Sequence, residues 1–179
     1  MARARLTGVL LVGGASTRFG APKALARVGD ETLAERAWRI LGEACDERVA
    51  VGKRRDGLEL PFELVDDGTD TRAALAGIVA GLRAASDSEV ALVLPVDMPL
   101  VTPSVLRQLG DACADAAVTQ AGPLPAAFAH SALPALERRL DQGRLTLREA
   151  LRELDTRRVE VDGALLVNVN TPDDLRRLG

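Results

Sequence analysis

The stretch Thr7-Gly8-Val9-Leu10-Leu11-Val12-Gly13-Gly14-Ala15-Ser16-Thr17-Arg18-Phe19-Gly20-Ala21-Pro22-Lys23 runs from an apolar block directly into a loop of glycines, hydroxyls and two cations. The apolar block stops at Gly13-Gly14, which suits a strand covered on both faces, as in a parallel sheet. In the loop, glycines let backbone N–H groups curl around phosphate oxygens, while Arg18 and Lys23 supply charge to neutralise them. It is not a Walker loop, because Lys23 follows a proline and no Gly-Lys-Ser/Thr occurs. Nor is it GxGxxG, since Gly13 and Gly14 are adjacent. On residue chemistry alone, a phosphate cradle and a glycine-rich turn with two solvated cations both remain open.

Outward from this stretch, strand and helix signals alternate. Leu33, Ala37, Ile40, Leu41 and Ala44 recur at helical spacing after Thr32, and Arg48 to Val51 reads as a second strand. Thr71 to Ala85 reads as helix and Val90 to Val96 as strand, while Thr102-Pro103 supplies a cap and first-turn proline for a helix over Ser104 to Ala114. Ala116 to Gln120 and Leu124 to Ala129 read as strand, turn, strand. Ser131 to Leu140 and Thr146 to Leu154 read as helices, the second opening on a Thr146 to Glu149 capping box. Arg158 to Val161 and Leu165 to Val167 read as strands, and Thr171-Pro172-Asp173-Asp174 begins a last helix. The pattern predicts one α/β domain over residues 1–179, a doubly wound, mostly parallel sheet in a Rossmann-like three-layer arrangement. Ligands of such sheets sit beyond the carboxyl ends of the strands.

Three predicted strand ends carry unusual residues: Gly13-Gly14, Val96-Asp97 and Asn168-Val169-Asn170. Asp97 suits a hard divalent cation, because Mg²⁺ takes only one or two protein carboxylates together with phosphate oxygens and water. Helix capping is the plainer role for it, but Thr102 already fills that position. Asn168 and Asn170, two apart on an extended segment, project to the same side, and Asn170 is a second candidate for the metal or its waters. Local turn and capping work is equally open to both asparagines.

GGxSxRxGxxK after a first strand resembles the signature of the molybdenum cofactor guanylyltransferase family of nucleotidyltransferases. Leu94-Pro95-Val96-Asp97-Met98-Pro99-Leu100 resembles that family's strand-end Asp-x-Pro, and Leu166 to Leu175 its Asn-x-Asn-Thr-Pro box. The three motifs occur in order and span most of the chain. The resemblance implies attack of the molybdopterin phosphate on the α-phosphorus of GTP, with release of pyrophosphate. It assigns Mg²⁺ to Asp97, catalysis to Arg18, Lys23 and Asp97, and nucleotide binding to Leu11, Val12, Gly13, Gly14, Ser16, Lys23, Asp67 and Asp97. Asp67 would accept from guanine N1–H and N2–H₂, a donor pair that cytosine and adenine lack; a solvated Asp66-Asp67-Gly68 turn is the alternative. Leu75-Ala76-Gly77-Ile78 is similar to the family's Leu-Ala-Gly segment, although Ala73-Ala74 replace the usual Gly-Pro. Gln120 to Ala126 is similar to its proline-bearing acceptor segment but shorter and less polar. Transfer from CTP or to a sugar phosphate, and nucleotide binding without turnover, are the competing readings.

Composition limits the partners. The chain has a net charge of −3, Phe 3, Trp 1 and Tyr 0, so it offers neither general attraction to a polyanion nor rows of stacking platforms. Nucleic acid is therefore not an expected partner. No apolar run approaches the length of a membrane span, and the N-terminus enters a strand-like run rather than a signal segment, so the expected location is the cytoplasm. The expected partners are GTP and molybdopterin, with transient contact to proteins that deliver or accept the cofactor. Cys45 and Cys113 form no CxxC pair and are expected in the core; His130 is expected to be structural or at the surface. The charge-rich run from Arg152 to Arg158 reads as an ordinary solvated face.

Overall fold

The computed structural model describes residues 4–13 and 22–178. Its first strand, β1 (Leu6–Leu11), is followed by a small antiparallel pair, β2 (Arg27–Val28) and β3 (Glu31–Thr32), turned at Gly29 with φ +60°. Helix α1 (Leu33–Ala44), strands β4 (Glu47–Gly52) and β5 (Leu64–Asp66), helix α2 (Ala74–Ala84) and strand β6 (Val90–Pro95) come next. After α3 (Pro103–Ala112) the hairpin β7 (Ala116–Thr119) and β8 (Gly122–Ala129) leads to α4 (Leu133–Asp141), α5 (Leu147–Arg152), β9 (Thr156–Val159) and α6 (Pro172–Arg176).

Seven strands form one sheet in the order β5-β4-β1-β6-β8-β7-β9. Only β8 runs against its neighbours, so the sheet is mostly parallel, as the alternation of elements predicts. Side chains alternate across it: Leu6, Leu10, Leu92 and Leu94 pack under α1 and α3, whereas Val9, Leu11, Ala91 and Val93 pack under α2, α4 and α5. Burying one such leucine contributes about 1.5–3 kcal/mol. Helix α2 comes close to β1 through two glycines one turn apart; a Cβ at Gly81 would lie 2.4 Å from Val9 Cγ1, and one at Gly77 2.9 Å from Leu11 Cδ2. That approach brings the start of α2 to the end of β1.

Several expected boundaries differ. Helix α2 begins at Ala74 rather than Thr71. The Thr146 side chain makes no capping bond, and the Glu149 carboxylate that would complete the box accepts from Arg139 at 3.2 Å instead. Thr32 with Glu35, and Thr171 with Asp174, form the capping boxes instead. Residues Gly163–Leu166 form a 3₁₀ turn where a strand was expected, and β9 lies two residues earlier than predicted. Cys45 and Cys113 are half-buried against the core rather than enclosed in it.

Candidate active site

A cleft of about 460 Å³ opens beyond the carboxyl ends of β1, β4, β5 and β6. Strand-end hydrogen bonds set its floor: Val12 N donates to Val51 O at 3.0 Å, Val96 N to Leu11 O at 3.1 Å, and Asp67 N to Gly52 O at 3.0 Å. Leu11, Gly13, Asp67 and Asp97 of the predicted set line it, and Val12, 5% exposed, lies in the core beneath. Gly14, Ser16 and Arg18 lie outside the described residues.

On one flank, the Lys23 ammonium donates to Asp97 Oδ2 at 3.4 Å and to Asn170 Oδ1 at 3.3 Å. Three segments far apart in sequence thus meet at one cation. The backbone keeps them together, since Val169 N donates to Asp97 O at 2.8 Å and the Val169 side chain is fully buried. Asn168 lines the cleft on the same side. Asp97 is not a helix cap; Thr102 Oγ1 accepts from Val105 N at 3.3 Å and performs that work for α3. Lys23 and Asp97 side chains are 17% and 27% exposed, so the pair stands at the cleft wall, more enclosed than a surface cation.

On the opposite flank, the Asp66-Asp67-Gly68 turn divides two roles between its carboxylates. Asp66 accepts from Arg54 N at 2.7 Å and Gly68 N at 2.8 Å, and these backbone bonds, that from Arg54 foremost, hold its pKa below the ordinary carboxylate range. Asp67 turns inward. Its Oδ1 accepts from Lys53 Nζ at 2.6 Å and Thr69 N at 3.0 Å, while Oδ2 has no hydrogen-bond partner among the described residues. Lys53 also donates to the Thr69 carbonyl and hydroxyl, so its three donors are satisfied in a site where the pair's side chains are 5% and 7% exposed. Lys53 is a buried lining residue that the sequence did not reveal, as are Arg72 and Arg148 farther along the cleft. Its one signal is position, immediately after the apolar end of β4, and the basic run Lys53-Arg54-Arg55 masks it.

Between the flanks, Gly77 at the start of α2 lines the cleft, in keeping with close ligand approach there. Arg72 lines it as well and is held by Asp56 through two bonds of 2.6 and 3.1 Å. The far end is closed by Gly122, Pro123, Leu124 and Arg148, which belong to or face the predicted acceptor segment. His130 begins a short 3₁₀ turn after β8 and does not line the cleft. No group of three or more His, Cys, Asp or Glu side chains placed to hold a metal ion occurs among the described residues.

Residues 8–159 match the MobA-like NTP transferase domain. The chain is 33% identical to a probable molybdenum cofactor guanylyltransferase of Chloroflexus aggregans, covering 96% of this chain and 92% of that protein. It is 30% identical to a molybdenum cofactor guanylyltransferase of Desulfosudis oleivorans, covering 96% and 93%. Among solved structures, molybdopterin-guanine dinucleotide biosynthesis protein A of Archaeoglobus fulgidus superposes with a TM-score of 0.80 at 29% identity, covering 96% of each chain. No helix of the described residues is long and apolar enough to cross a membrane. With a mostly parallel sheet, a cleft at its carboxyl edge and a matching span of residues 8–159, the chain belongs to the MobA-like NTP transferase family of nucleotidyltransferases.

Proposed function

We propose that this nucleotidyltransferase transfers GMP from GTP to the phosphate of molybdopterin, releasing pyrophosphate and forming molybdopterin guanine dinucleotide. The observation that carries this reading is the meeting of Lys23 and Asn170 with Asp97, which lines the cleft. The names of the relatives support guanine as the base and molybdopterin as the acceptor. In the reaction an oxygen of the acceptor phosphate forms a bond to the α-phosphorus, and the bond to the α–β bridging oxygen breaks. The attacking phosphate is already ionised at neutral pH, so no protein base or nucleophile is needed. Catalysis consists of positioning and charge stabilisation.

Asp97 and Asn170 offer hard oxygen donors that already share one cation, the Lys23 ammonium, and such donors fit Mg²⁺. When bound, Mg²⁺ would supply Lewis-acid stabilisation of phosphate oxygens. Lys23 and Arg18 neutralise the triphosphate, and Gly13, Gly14 and Ser16 bind its phosphates. Asp67 receives the guanine edge through Oδ2, because three donors already crowd Oδ1. The product forms within one domain, in the cytoplasm, with transient contact to a protein that delivers or receives the cofactor. Pyrophosphate release with purified molybdopterin, Mg²⁺ and each triphosphate in turn tests the reading; turnover that is indifferent to the base refutes the guanylyl part.

A further inference from the structure

Behind the β7–β8 turn a second pocket, of about 220 Å³, shares Gly122, Pro123 and Arg148 with the cleft. Arg148, Arg152 and Arg158 line it. Arg148 and Arg152 stand four apart on α5, where like charges face one another and oppose helix formation. Arg158 reaches the same pocket from β9. None of the three makes a hydrogen bond or ion pair among the described residues, and no carboxylate lines the pocket.

The neighbouring acids are committed elsewhere. Glu153 accepts from Arg139 at 2.7 Å, Glu149 from Arg139 at 3.2 Å, and Asp155 from Arg157 at 3.1 Å. The charged residues of the run from Arg152 to Arg158 are exposed, as expected of a solvated face, but its acids pair with other arginines and two of its own arginines line one pocket. Thr119 also lines the pocket, and its buried hydroxyl has no hydrogen-bond partner among the described residues. Three uncompensated guanidinium groups gathered in a chain of net charge −3 raise a local positive potential that folding alone does not favour.

We infer that this arginine pocket is an oxyanion site on the acceptor side of the cleft, binding a phosphate-class group. Guanidinium forks match tetrahedral oxyanions through paired N–H donors, and three of them in one concavity give a geometry that a scattered basic surface lacks. The group is either a distal anionic part of the acceptor, reaching past Gly122 and Pro123, or a free phosphate ion. Phosphate binding here stands whether or not the transfer reading is correct; only the acceptor as its source rests on that reading.

Isothermal titration of the apoprotein with inorganic phosphate, without nucleotide or metal, tests the site. One saturable event is expected, weakened at least tenfold in Arg152→Ala/Arg158→Ala, abolished in Arg158→Glu, and retained in Lys23→Ala. No saturable binding, or binding lost in Lys23→Ala and kept in the double variant, overturns the inference by returning the anion to the nucleotide cleft. Circular dichroism of the double variant is expected to match the parent, because the replaced side chains are exposed. A second arm measures transfer kinetics. If the double variant raises KM for the acceptor and leaves KM for GTP unchanged, the acceptor supplies the anion. If it loses phosphate binding with both KM values unchanged, free phosphate does.

Discussion

Asp67→Ala should destabilise the protein severely, through the lysine it leaves behind more than through the contact it removes. Lys53 is 5% exposed at its side chain, and its ammonium donates to Asp67 Oδ1 and to the carbonyl and hydroxyl of Thr69. Without the carboxylate it is a buried charge with only neutral acceptors. Removing one partner of a buried pair costs about 3–5 kcal/mol, a large share of the ~5–15 kcal/mol that holds a domain folded. At roughly 2–4 °C per kcal/mol for a chain of this size, the melting temperature should fall by about 6–20 °C. Lys53→Met/Asp67→Leu removes both charges with similar volume and should recover most of the loss, because neutral replacement of a buried pair is often tolerated. Calorimetry and urea unfolding of the nucleotide-free proteins measure both effects. An Asp67→Ala protein melting within about 2 °C of the parent would refute the buried-pair argument, as would a double variant weaker than Asp67→Ala.

Lys23→Ala should weaken GTP binding by fluorescence or calorimetric titration and slow transfer, yet shift stability by no more than about 1 kcal/mol, since its ion pair is long, at 3.4 Å, and the Asp97 carboxylate it leaves behind still reaches solvent. Equal GTP affinity in variant and parent would remove Lys23 from the triphosphate site. Asp67→Asn keeps an oxygen for Lys53 while losing the charge that the base would meet, so the preference for GTP over CTP should drop about tenfold or more, as expected for a bond to a charged acceptor worth ~1.5–3 kcal/mol. Gly81→Ala places a methyl 2.4 Å from Val9 Cγ1 and should cost about 1–3 kcal/mol in urea unfolding, by forcing α2 away from β1. Burial pushes the Cys113 thiol up to about 11. In the native protein it should therefore resist alkylation at neutral pH. Between pH 9 and 11 the unfolded chain releases this proton while the native chain retains it, so the Cys113 contribution to stability falls as pH rises.

The sheet and the ends of β1 and β6 were legible because their signals are local: apolar runs halted by Gly13 or Asp97, and Thr102-Pro103 opening α3. The Asn168-Val169-Asn170 segment was legible as chemistry but not as conformation. The preceding residues Leu165 to Val167 look strand-like, yet Leu166 lies in a 3₁₀ turn and the segment is fixed by the tertiary bond from Val169 N to Asp97 O. The Thr146 capping box failed for a related reason, as Arg139, ten residues earlier in α4, captures the Glu149 side chain through space. Lys53 was hidden because its partner Asp67 is fourteen positions away and its neighbours Arg54 and Arg55 resemble a solvated run. In each case the decisive interaction is long-range, and periodicity carries no information about it.

The proposed transfer turns on Asp97 and on the nucleotidyl group it helps to move. Pyrophosphate release measured with Mg²⁺, molybdopterin and each of the four triphosphates, in the parent and in Asp97→Asn, tests it most directly. Release is expected with GTP above all, only when acceptor is present, and not in Asp97→Asn, whose neutral amide is a poorer ligand for a hard cation while its fold is kept. Equal release from CTP and GTP, or undiminished release by Asp97→Asn, would contradict the account.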